Sequence, residues 1–429
     1  MFHANSMLFP KRPAALEAWQ PLDLCHQAAA QPLREFSTYA RINWTMKRVT
    51  CDGTPSEIGL KHGKEAKTEV ERGLRFYSKL FEETARLSWP DVCDVAARFE
   101  PLLRQKWPNH VEEIKGIASG AGVPYISILA LNVRTEIAYG LAKDGCTALY
   151  WRSEPSAFLA QNWDWQEEQQ ENLINLSISQ EHKPTIDMIT EAGIIGKIGL
   201  NSKGLGVCLN AIRALGVDSQ RLPCHLALRT CLESSSVQEA VAILRESQVA
   251  SACHILVADS QEAIGLECSH MDMIELPTNK LLTHTNHFVK SHPVEDKTAF
   301  VDSPVRLRRI NELIHERGEE LDGSKTLTTE SIRILLEDTE NSPTAICRSQ
   351  TKDSTVATLF NVVMDLTKPS AEVILGKPTR HGAEIIYLTP QTSSQTSGDY
   401  AWVRKETNPT PRLDTHSNRS KSEIRTPRS

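Results

Sequence analysis

The chain has 429 residues, 40% hydrophobic and 24% charged, which fits one large layered domain or two or three smaller ones with a sizeable core. A net charge of −6 without a long basic run argues against a nucleic-acid partner. No apolar run approaches the roughly 20 residues that span a bilayer, so no membrane partner is expected.

Residues 1–45 lack a sustained period and the apolar core of a secretory signal. They read as a disordered leader, a weak organellar presequence, or an extension ahead of a start at Met46. Helical spacing follows. Ser56 is placed to cap a helix over 56–85. Further helices are expected over 91–107, over 108–122 with Gly120 and Gly122 as the stop, and over 125–141.

The pattern changes at Gly145. Stretches 146–152 and 157–165 read as strands joined by the turn "SEPS", and 172–180, 185–192, 193–200 and 204–212 continue as short strands. "NSKG" at 201–204 supplies a tight turn. Two helices follow, over 225–234 and 236–247, the second opened by a capping box of Ser236 and Glu239. Strands return at 252–259 and 262–269, helices at 304–317 and 329–337, and strands at 355–366, 371–376 and 384–388. Residues 390–429, rich in Ser, Thr, Pro and Arg, read as a disordered tail. Strands, then helices, then strands predict an α+β fold with two stacked antiparallel sheets between helices.

Ten cysteines with no C-x-x-C pair suggest neither a disulfide framework nor a zinc site, and point to a reducing, intracellular compartment, with the cytosol as the default. "HTNH" (284–287) offers two metal ligands but no third at a standard spacing, so His284 and His287 read as structural and no metal is expected.

One cysteine stands apart. Cys146 opens a strand directly after Asp144-Gly145, a poor place for packing and a good one for a nucleophile at a sheet end. If the bond before it is cut, Cys146 gains an α-amino group beside its own thiol. That amine, with a pKa of roughly 7.7–8.0, is matched to the work of a general base. Nucleophile and base then occupy one residue. Gly145 suits the cutting step, because a residue without Cβ lets the thiol approach its carbonyl. The same pair can also be a strand start with no chemical role.

"DGCTALY", followed by "AQNWDW" and "ENLI", resembles the acyl-coenzyme A:6-aminopenicillanic-acid (isopenicillin N) acyltransferase family of cysteine N-terminal-nucleophile hydrolases. "CDGTPSEIGLKHG", "LNVRTEIAYGL", "ITEAGIIGKIGLNSKGLGVCLNA", "THTNH", "ICR" and "ATLFNVV" resemble family blocks in family order, over roughly residues 46–385. The resemblance implies a four-layer αββα sandwich and autocatalytic cleavage between Gly145 and Cys146. It implies an α fragment (46–145, or from residue 1), a β fragment (146–389 and the tail), and their heterodimer. It also implies a Cys146 thioester, a small-molecule acyl donor that is either an amide or an acyl-coenzyme A cosubstrate, an amine acceptor, and no bound cofactor. Asp164 then matches an acid that orients groups beside the nucleophile. Asn286 matches an oxyanion donor, and Arg348 an arginine that pairs with Asp164 or holds a substrate carboxylate.

Two departures from the family pattern bear on substrate and location. Trp165 and Gln166 follow "QNWD" where the penicillin-forming enzyme has aromatic residues lining the acyl pocket, a change that can redirect acyl choice. The terminal "TPRS" does not match a peroxisomal tripeptide. The rival readings are a plain N-acyl amide or peptide hydrolase and a non-catalytic paralogue acting as a binding protein.

Overall fold

The computed structural model describes residues 46–138, 145–295, 302–321, 326–352, 354–379 and 383–391. The expectations for the leader, for 139–144 and for the tail beyond 391 lie outside those residues.

β1 (Lys47–Asp52) opens the described chain. Thr54, not Ser56, caps α1 (Pro55–Glu65): its hydroxyl accepts the Glu57 N–H while the Glu57 carboxylate accepts the Thr54 N–H. The expected long helix breaks at Ala66, and α2 (Lys67–Ala85) runs on to a left-handed Arg86. The stretch 91–107 also divides, into α3 (Trp89–Ala97), capped by Ser88, and α4 (Glu100–Lys106). α5 (Pro108–Ala121), α6 (Tyr125–Asn132) and α7 (Arg134–Ala138) complete the helical third.

Gly122, with φ +73°, ends α5 as expected, but Gly120 lies inside the helix. Its role is packing. A Cβ on Gly120 would lie 2.3 Å from the Leu60 carbonyl oxygen, and Gly59, Gly63 and Gly116 meet facing backbone just as closely. This glycine seam lets α1 and α5 touch main chain to main chain. Gly120→Ala is therefore expected to destabilise the fold by about 1–3 kcal/mol through overpacking, read as a lowered unfolding midpoint. A glycine serving only as an unpacked helical residue would give the opposite sign, since alanine is the better helix former.

The strands then run β2 (Gly145–Ser153), β3 (Ser156–Gln166), a 3₁₀ turn (Glu167–Asn172), β4 (Leu173–Ser179), β5 (Ile186–Glu191), β6 (Ile198–Asn201) and β7 (Gly206–Ala211). α8 (Cys224–Glu233) and α9 (Val237–Ser247) follow. Ser236 caps α9, but the Glu239 carboxylate accepts from Ser235 N–H, one residue earlier than the expected box. Next come β8 (Cys253–Ala258), β9 (Ala263–Cys268), β10 (Met273–Thr278), β11 (Leu281–His284), α10 (Asp302–Leu321) and α11 (Thr329–Leu336). The fold closes with β12 (Val356–Asp365), β13 (Ser370–Leu375) and β14 (Ile385–Leu388).

Two sheets result. One has eight strands in the order β1-β4-β5-β6-β7-β8-β9-β10, the other six in the order β11-β2-β3-β12-β13-β14. Pairing is antiparallel except at one edge, where β1 runs parallel to β4. β1, β10 and β11 escaped the sequence reading: all three are edge strands, β10 and β11 show no burial alternation, and that of β1 spans only its last four residues.

The faces of β2 and β3 fix the layers. Leu149, Trp151, Phe158 and Ala160 pack against Ile310 and Ile314 of α10 and Ile332, Leu335 and Leu336 of α11. The opposite face meets the eight-stranded sheet: the Gln161 amide donates to Leu209 O and accepts from Leu209 N–H. The architecture is the αββα sandwich of an α+β fold, with β2 and β3 in the middle of the smaller sheet.

Candidate active site

Gly145 and Cys146 begin β2, opposite Asp164 and Trp163 of β3. Because side chains alternate along a strand, this register assigns two chemistries to two faces. Gly145 and Asp164 share the face toward α10. Cys146, Trp163 and Trp165 share the face toward the larger sheet, and Gln166 falls on the other. The two residues expected to wall one pocket are thus on opposite sides of β3. Trp165 is buried and lies under the Arg134 guanidinium, while Gln166 is half-buried at the strand end.

On the α10 face lies a buried charge network. The Thr358 hydroxyl donates to Asp164 Oδ1 at 2.7 Å, and Arg348 Nε is 3.2 Å from Asp164 Oδ2. That second contact has ion-pair distance without hydrogen-bond geometry. Arg348 also donates to Asp302, which takes Arg306 Nε at 3.2 Å. Burial pushes the Asp164 carboxyl up to about 6, against the pull of Arg348 and Arg306. A Cβ on Gly145 would sit 3.0 Å from both Asp164 Oδ2 and Arg348 Cζ. The glycine therefore lets this ion pair lie directly against the Gly145–Cys146 linkage.

Asn286 follows β11, and its backbone N–H is held by the Ser303 hydroxyl at 2.7 Å. Its Oδ1 accepts from the Cys146 N–H and from Arg306 Nη2, both at 2.8 Å, while its Nδ2 donates to Ala211 O. Asn286 thus presents oxygen, rather than its amide nitrogen, to Cys146. Arg306 completes the enclosure by donating to Cys146 O at 2.7 Å and Thr147 Oγ1 at 3.2 Å. Burial draws its pKa down to about 10, so it stays charged at neutral pH.

The structure brings Gly145, Cys146, Asp164, Asn286 and Arg348 together from separate segments. Arg306, Asp302, Ser303 and Thr358 complete the cluster and were missed. Arg306 left a signal: it lies four and eight residues before the buried Ile310 and Ile314, so the helical period places a charge on an apolar stripe. Of the "HTNH" histidines, only His287 touches this cluster, through Ser303. His284 pairs with Glu267 at 2.9 Å and stacks on His254, and His287 bonds the Ser303 hydroxyl. Among the described residues, no three His, Cys, Asp or Glu side chains are grouped to hold a metal ion.

The thiol's face carries a second missed group. Lys197, fully buried, lies 3.5 Å from the Trp163 ring centroid and donates to Glu191 Oε2 at 2.5 Å. Glu191 also accepts from Arg134 Nη2 at 2.9 Å and from the Tyr77 hydroxyl. Burial works against ionising Glu191, but Arg134 and Lys197 hold it down at about 2. A lysine inside the apolar run "GIIGKIGL" was the visible signal.

Residues 151–380 match the family described as acyl-coenzyme A:6-aminopenicillanic acid acyl-transferase. The chain is 40% identical over 341 residues to the acyl-coenzyme A:6-aminopenicillanic-acid-acyltransferase 40 kDa form of Emericella nidulans, covering 78% of this chain and 93% of the relative. Among solved structures, a conjugated bile acid hydrolase of Clostridium perfringens superposes with TM-score 0.42 at 13% identity, over 57% of this chain and 92% of the other. Penicillin V acylase of Agrobacterium tumefaciens superposes with TM-score 0.36 at 12% identity, over 57% and 86%.

Proposed function

Because the chain belongs to the acyl-coenzyme A:6-aminopenicillanic acid acyl-transferase family, and is an enzyme of that acyl-transfer type, we propose that it cuts itself between Gly145 and Cys146 and then moves acyl groups through a Cys146 thioester. The observation that carries this reading is the pair of contacts on either side of that bond. Gly145 lies against the Asp164–Arg348 pair, and the Cys146 N–H is held by Asn286 Oδ1.

In this mechanism the break converts the held amide N–H into an α-amino group without moving it. Asn286 Oδ1 keeps one amine hydrogen, which orients the lone pair to accept the thiol proton. The thiolate attacks the acyl donor, an acyl-coenzyme A or an amide, and the acyl group passes to sulfur. An amine acceptor then takes it, and the α-amino group moves the proton in each half-reaction. Asp164 and Arg348 fix the strand end, and Arg306 holds the Cys146 carbonyl. Asn286 Nδ2 has a second hydrogen for an oxyanion. Trp165 shares the thiol's face and is placed to wall the acyl pocket, while Gln166 lies on the opposite face of β3, away from the thiol.

The fragments of such a break have reason to stay together as a heterodimer. β1 pairs with β4, and Arg229 holds Glu113 by two bonds of 2.8 Å, both partners buried. Arg134 and Tyr77 meet Glu191 across the same division.

The test incubates purified protein with acyl-coenzyme A, with and without an aminated β-lactam nucleus as acceptor. The expected result is two fragments of 145 and 284 residues for this 429-residue chain, co-eluting in gel filtration. Coenzyme A release should depend on the amine and be accompanied by a new amide detected by mass spectrometry. Amide hydrolysis with no transfer to any amine would replace the transferase reading with a hydrolase, and an uncut, unreactive chain would leave a binding protein.

A further inference from the structure

The self-cleavage just proposed has a missing proton acceptor. Before the break, Cys146 has no α-amino group, because its nitrogen is an amide. Asp164 cannot serve easily, since it lies on the opposite face of β2 and β3. Arg306 is charged and acts only as a donor.

We propose that Lys197 is the proton acceptor for the Cys146 thiol in the uncleaved chain, a role that ends once the α-amino group exists. Lys197 stands on the thiol's face of the smaller sheet, with its nitrogen over Trp163, the residue directly opposite Cys146 in the β2–β3 ladder. A thiolate formed at Cys146 would favour the protonated form of Lys197. Glu191 from β5 fixes the nitrogen, and Glu191 is itself fixed by Arg134 from α7 and Tyr77 from α2. The position of the nitrogen therefore does not depend on a flexible stem.

The other groups facing this pair fit the role. His225 on α8, near Lys197, is kept neutral by burial and bonds Gly196 O through Nδ1. Burial holds the Cys208 thiol on β7 protonated. Arg306 on α10 adds positive potential at Cys146. Burial, with Arg134 adding to it, draws Lys197 down to about 8 despite Glu191, so its free amine is populated near neutral pH.

The step balances. The Lys197 amine takes the Sγ proton, and Sγ bonds to the Gly145 carbonyl carbon. The tetrahedral centre collapses with loss of the carbon–nitrogen bond, and the Lys197 proton passes to the departing nitrogen. A thioester and a free α-amine remain, and water hydrolyses the thioester to the Gly145 carboxylate and the Cys146 thiol.

This inference rests on the self-cleavage reading, and the experiment separates the two. The full chain is made in a cell-free system and its cleavage followed after shifts of pH. The parent's rate should rise with pH and level off near about 8. Lys197→Arg keeps the charge but cannot accept a proton in this range, and Lys197→Met keeps the stem without charge. Both should cleave about 10²-fold or more slowly, with the pH step lost and cooperative unfolding retained. Hydroxylamine should trap the parent's thioester as a Gly145 hydroxamate, and in either variant the hydroxamate should form as slowly as the cleavage. A folded variant that cleaves at the parent's rate, or forms the hydroxamate normally, overturns the role of Lys197 alone, as does a parent rate flat through that pH region. If the parent never breaks at this bond, both readings fall.

Discussion

Cys146→Ala is expected to remain a single 429-residue chain under conditions that divide the parent into fragments of roughly one third and two thirds of its 47.9 kDa. The side chain lost is small, and the site is 1% exposed, with its main-chain partners Asn286 and Arg306 untouched. Such a truncation costs on the order of 1 kcal/mol, so the variant should unfold cooperatively near the uncut parent. An uncut, well-folded variant separates loss of chemistry from loss of structure. Acyl transfer should vanish with it, because no residue then carries both the nucleophile and its base. Intact mass analysis reads the outcome directly. A break directly after Gly145 in this variant would mean that the thiol is not the attacking group.

The second large effect is expected at Arg306. This one buried guanidinium donates to Cys146 O, Thr147 Oγ1, Asn286 Oδ1 and Asp302. Arg306→Met keeps the apolar stem but leaves Asp302 with one fewer cation and two oxygens of β2 with one donor fewer. Breaking a buried pair on one side costs about 3–5 kcal/mol, so the unfolding midpoint should fall clearly. Cleavage should slow as well, by about 10²-fold, since displacements near 1 Å at a reacting bond have that effect. Arg306→Lys restores the charge but not the fork that reaches Cys146 O and Asn286 Oδ1 together. It should recover part of the stability and little of the rate. Wild-type thermal stability and cleavage in Arg306→Met would remove Arg306 from the site.

The residues that sequence reading missed share a cause. Arg306 and Cys146 are 160 positions apart, and their contact is created by packing α10 on β2. Thr358 and Asp164 are separated by 194 positions and meet only because β12 pairs with β3. Neither contact has a local pattern. The division of Trp165 from Gln166, by contrast, was legible, because a two-residue period already puts neighbours on opposite faces.

Local chemistry determined what could be read directly: the change from helical to strand spacing at Gly145, the position of most elements, and a cysteine that opens a strand beside a glycine. Those features depend on backbone geometry and on neighbours within a few residues. The tertiary structure decided which charges meet that cysteine, the parallel edge pairing of β1 with β4, and the two faces that separate Asp164 from Lys197. These depend on which distant segments exclude water together, and burial then sets whether a carboxyl, an amine or a guanidinium keeps its charge.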